Sequence, residues 1–143
     1  MITVNEFLSW SNLVAVAPVL VYRAWNEASP IGSYVALAAA VCSYHYHSIE
    51  TKHGQKPTVS AETVTSALWL DRFGTLMAFG YLLNFVIKCN LPIVSTLLSA
   101  TDGLICWALS ESHLFDRFYG GWIYAVLHVW WHIRAFSMFA ILM

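Results

Sequence analysis

The chain has 143 residues, the length of one domain, and a net charge of -1. It is 59% hydrophobic and 15% aromatic, with only 10% charged residues. So few charges cannot coat a water-soluble globule, and the near-neutral balance excludes electrostatic attraction to nucleic acid, so lipid is the natural solvent. The apolar runs predict an all-α, polytopic transmembrane bundle of about five spans, with residues 1–143 forming a single transmembrane domain.

The first span is Phe7–Trp25, interrupted by Pro18 and Arg23, both of which membrane helices tolerate. The preceding residues lack the basic stretch of a secretory signal and the arginines of a transit peptide, so this run is expected to stay in the mature protein. After a turn at Asn26–Pro30, the second span is Ile31–Ile49. Glu50–Ala61 is the most polar stretch and reads as a loop outside the membrane. Ala67–Ile87 is the third span and begins through Leu70, Asp71 and Arg72. A tight turn at Lys88–Asn90 and Pro92 leads into the fourth, Leu91–Leu109, which holds Asp102 and Gly103. A second polar loop, Ser110–Gly121, precedes the fifth, Trp122–Leu142. Cys42, Cys89 and Cys106 form no CxxC and are an odd number, so they read as small packing residues. Trp122, Tyr124, Trp130 and Trp131 read as interfacial belt and packing residues.

Five alternating spans place the ends of helices 2 and 4 and the starts of helices 3 and 5 on the side that holds the N-terminus. His45 and His47 lie late in helix 2, Asp71 early in helix 3, and His128 and His132 in the first half of helix 5. All five fall at a similar depth near one face. Ionisable residues inside a membrane are costly and point to function. His128 and His132 are four apart, hence one turn apart on one helix face. Ser43 and His47 share a face in the same way, while His45 points roughly opposite and competes with His47 for the inward position. Three neutral imidazoles and one open position make the ligand set of a catalytic zinc site. Asp71 is placed to accept a hydrogen bond from a bound water or to orient a ligand, and Ser43 to donate one to a developing oxyanion.

The pattern Ser43-x-x-x-His47 in helix 2, Asp71 in helix 3 and His128-x-x-x-His132 in the last helix resembles the CREST superfamily of membrane hydrolases. That group includes alkaline ceramidases and the progestin and adipoQ receptors. The resemblance implies zinc held by His47, His128 and His132, with Ser43 and Asp71 as the other site residues. It also implies amide or ester cleavage of a lipid in a membrane cavity. The family usually has seven helices where five are read here, which leaves the lipid cavity with fewer walls. The alternative expectation is a catalytically silent, CREST-derived subunit of a larger membrane complex, such as a respiratory or other organellar assembly, partnered by other membrane proteins. A b-type haem ranks below both, because the helix-5 histidines are too close together for two stacked haems.

Asp102 and Arg134 lie on consecutive antiparallel helices in the middle to lower part of the bilayer and are expected to pair, since each alone would be an uncompensated charge in hydrocarbon. Lys52, Lys56, Arg72 and Arg117 on the N-terminal side, against Arg23 and Lys88 on the other, place the site on the cytoplasmic or matrix face of an endomembrane or mitochondrial inner membrane.

Overall fold

The computed structural model describes residues 2–25, 30–50, 58–112 and 121–142. The loop cations Lys52, Lys56 and Arg117 lie outside these residues. The described chain is all-helical, with α1 Val4–Trp25, α2 Pro30–Ile49, α3 Ala61–Lys88, α4 Ile93–Glu111 and α5 Trp122–Leu142.

The helices form an arc rather than a closed ring. Packed neighbours run α3, α2, α1, α5, α4, so that α3 and α4 stand at the two ends of the arc. Small residues allow the closest approaches. Gly32, Ala36 and Ala40 repeat every four residues on the buried side of α2, as in membrane helix pairs that bring backbones together. At the α2–α3 contact, a Cβ on Gly74 would lie 3.4 Å from both the Ala39 Cα and the Cys42 Cβ. Two apolar clusters hold the bundle. One joins Val4 and Leu8 of α1 to Tyr124 and Ala125 of α5, near the N-terminal side. The other gathers Val16, Val19, Ala36, Ala40, Leu82 and Phe139 farther along.

Helix α3 begins earlier than its apolar run. Ser60 has extended backbone, and its Oγ accepts a hydrogen bond from the Thr63 amide at 3.2 Å, which starts the helix at Ala61 and places Asp71 almost three turns inside. Its other end closes with paired capping bonds. The Leu91 amide donates to the Val86 carbonyl at 3.0 Å and the Asn90 amide to the Ile87 carbonyl at 3.2 Å. Asn90 takes φ 50°, a conformation asparagine tolerates, and Pro92 cannot continue the helix.

Among the described residues, two helical stretches, Val4–Tyr22 and Ala61–Lys88, are long and apolar enough to cross a membrane by length and composition.

Candidate metal centre

The three histidines converge. One ring nitrogen from each of His47, His128 and His132 lies within 4.8 Å of the other two, and all three residues are buried. Ring centroids are 4.7 Å apart for His128 and His132, 4.8 Å for His47 and His128, and 5.4 Å for His47 and His132. His45 is exposed, so α2 turns His47 rather than His45 inward.

The surroundings of the rings fix which nitrogen faces inward. The Nδ1 of His47 is 2.7 Å from Oε1 of Glu50, a carboxylate oxygen that accepts, so Nδ1 carries the proton. Ser110 Oγ donates its single proton to the Trp107 carbonyl at 2.7 Å, and must therefore accept from His128 Nδ1, 3.1 Å away. Ser11 repeats the arrangement. Its Oγ donates to the Leu8 carbonyl at 2.7 Å and accepts from His132 Nδ1 at 3.3 Å. At His47 and His128 these contacts favour the Nδ1–H tautomer, which leaves the Nε2 lone pair as the metal donor; at His132 the Ser11 contact favours the same tautomer, while Ser43 Oγ lies against Nε2. Partners of this kind orient metal-bound histidines and raise their basicity. The donor set fits zinc: three neutral nitrogens, no thiolate and room for a fourth ligand.

Ser43, buried on α2, places its Oγ 3.4 Å from His132 Nε2, on the inward side of the cluster. Asp71 is half-buried on α3 and within side-chain hydrogen-bonding reach of Ser43. Ser43, Asp71, His128 and His132 line one end of a cavity of about 560 Å³. Leu76, Phe79, Leu82, Phe136 and Phe139 line its apolar part, between α3 and α5. The cavity lies inside the arc, with Leu104 and Trp107 of α4 on its far wall, and the gap between α3 and α4 faces outward.

Asp102 and Arg134 meet away from this centre. Arg134 Nε donates to Asp102 Oδ1 at 2.9 Å, and Trp130 Nε1 donates to Asp102 Oδ2 at 3.2 Å. Gly103 makes the pairing possible, since a Cβ there would lie 2.7 Å from the Cβ of Arg134.

Several contributors are invisible to a reading by apolar runs. Glu50 was expected in an external loop, yet it is 2% exposed and its amide donates to the Tyr46 carbonyl at 3.0 Å, which extends the last turn of α2. Ser110 was likewise assigned to a loop and lies inside α4. The usable signals were the His47–Glu50 spacing of one helical turn and the serines of α1.

Fold and site together define an all-helical bundle with a buried three-histidine centre capable of holding a metal ion. Comparison with family models, with curated proteins and with solved structures found no match for the chain.

Proposed function

We propose that this chain is a multi-pass membrane protein that holds zinc on His47, His128 and His132 and hydrolyses an amide or ester bond of a lipid, as its resemblance to the CREST hydrolases implies. The carrying observation is the convergence of three buried histidines, each with a hydrogen-bonding partner at Nδ1, at the end of a largely apolar cavity. The surface supports the membrane setting. On α3, Trp69, Phe73, Leu76 and Met77 are each more than half exposed, and the helix is about 42 Å long, enough to cross a hydrocarbon core. An exposed apolar face of that size is unfavourable in water.

Bound zinc would supply a Lewis acid that polarises a carbonyl and lowers the pKa of a water to about 7. The chain's own groups do the rest. The apolar wall of Leu76, Phe79, Leu82 and Phe136 takes the acyl chain and excludes water from it. Ser43 Oγ donates a hydrogen bond to the carbonyl oxygen as charge develops there. Asp71 accepts a proton from the attacking water and returns it to the leaving nitrogen or oxygen. The test is elemental analysis of the protein purified without chelator, beside His132→Ala, followed by lipid-amide and lipid-ester hydrolysis followed by mass spectrometry. About one zinc per chain, lost in the variant, together with zinc-dependent lipid cleavage, is the expected result. A metal-free unmodified protein would overturn the reading.

The breadth of the exposed face on α3 and α4 favours a second reading, a silent subunit whose outer helices pack on other membrane proteins. A zinc-loaded chain that cleaves none of these lipids and migrates only within a larger complex on native gels would favour it.

A further inference from the structure

Helix α1 carries a polar stripe that the proposed chemistry has not used. Asn5, Ser9 and Asn12 are spaced four and three apart, so they share one face of an otherwise apolar helix. All three are buried, at 8%, 2% and 0% exposure. Asn5 Nδ2 donates to the Glu50 carbonyl at 2.7 Å, and Asn12 Nδ2 donates to the Leu8 carbonyl at 3.1 Å. Among the described residues, no group donates to Asn5 Oδ1 or Asn12 Oδ1, and none pairs with Ser9 Oγ. Buried polar oxygens nearly always have partners, and where the protein offers none the partner is ordered water.

The stripe joins two hollows. At its outer end Asn5 and Ser9 line a cleft of about 280 Å³ with Thr3, Glu6 and Ser48. At its inner end Asn12 lines the large cavity that holds Ser43 and His132. Asn5 and Asn12 are about 10 Å apart along the helix, the length of roughly four hydrogen-bonded waters.

We propose that the α1–α2 seam is a water route, in which a file of waters held by Asn5, Ser9 and Asn12 connects the cleft on the N-terminal side with the metal centre. Its use rests on the hydrolase reading; its existence does not. Each cleavage consumes one water, whose oxygen joins the acyl carbon. One of its hydrogens goes to the leaving nitrogen or oxygen, and the other stays on the acid or leaves as a proton. A lipid filling the apolar cavity blocks that side to water. The seam supplies the co-reactant from the opposite side of the centre, so lipid and water do not compete for one opening.

The experiment is X-ray radiolytic hydroxyl labelling of the full chain in lipid nanodiscs, with Asn12→Leu and Ser9→Ala alongside. Bound water beside a buried side chain yields labelling that solvent exposure would not give. Leu8, buried beside the seam, is expected to be labelled well above Val19, an aliphatic side chain equally buried in the far apolar cluster that lines neither hollow. Either substitution should reduce that labelling several-fold while zinc content stays unchanged. Labelling of Leu8 no greater than that of Val19 in the unmodified protein would overturn the route. If the unmodified protein cleaves lipid, Asn12→Leu is expected to lower kcat with KM for the lipid unchanged, and an unaltered kcat despite lost labelling would overturn its role in supply. A protein that cleaves nothing but is labelled along the seam would refute the hydrolase reading and leave the route standing.

Discussion

Glu50 offers the sharpest test of the metal centre, because its replacement should cost more stability with metal bound than without it. Its Oε1 lies 2.7 Å from His47 Nδ1, and the side chains of both residues are fully buried. With zinc bound, the carboxylate holds the ring and raises its basicity, and losing such a partner typically weakens metal affinity by about 10- to 100-fold. Glu50→Gln keeps an acceptor oxygen without the charge and belongs near the lower figure. Glu50→Ala removes both and belongs near the upper. A tenfold weaker affinity lowers zinc-dependent stabilisation by about 1.4 kcal/mol at fixed excess zinc, enough to move the melting temperature by a few degrees. Without zinc that linked contribution is absent. Removing one partner of this buried, hydrogen-bonded pair is destabilising in chelator as well, so the difference between the two conditions isolates the metal-linked part. The assay is competitive zinc titration together with thermal unfolding in zinc and in chelator. Ser48→Ala serves as the control, since Ser48 Oγ is exposed and donates only to the His45 carbonyl. If Glu50→Ala binds zinc within about twofold of the unmodified protein, Glu50 does not support a zinc ligand and the inward donor assignment for His47 fails.

His47→Ala should abolish tight zinc binding while His45→Ala leaves it unchanged, as measured by elemental analysis, because only His47 is buried in the cluster. Gly103→Ala should destabilise the protein by about 1–3 kcal/mol, since the new methyl would meet Arg134 at its Cβ, which cannot move without its backbone. Gly80→Ala is the matching control, because a Cβ there meets nothing within 4 Å and helix propensity favours alanine. In a double-mutant cycle, Asp102→Asn and Arg134→Gln should be strongly non-additive when unfolding is measured in bicelles. Additive small effects would show that this face of α4 and α5 lies in water rather than in hydrocarbon.

Much of the helix plan and the metal triad was legible because both follow helical period. His128 and His132 share a face for a reason internal to one helix, and so do Ser43 and His47. Helix boundaries were less legible where polar residues belong to the helix. Ser60, Glu62 and Thr63 form a capped first turn of α3 that reads as loop by composition, and this displaced Asp71 from the helix start to its interior. The partners of the histidines were the least legible. Ser11 comes from α1 and Ser110 from α4, and each meets its histidine through the relative rotation and depth of helices, which no single-helix pattern encodes, whereas Glu50 lies one turn beyond His47 on α2 and was hidden only by the placing of the helix end. The consequence bears on chemistry. Two of those serines also donate to a carbonyl three residues earlier in their own helices, and this local bond makes them acceptors toward the imidazole. A serine read as part of an outer loop thus becomes the partner of a histidine on another helix. For that reason replacing Ser110 with alanine should weaken zinc binding although Ser110 is not itself a ligand, and replacing it with cysteine, a poorer acceptor, should restore little of the loss in the same zinc titration.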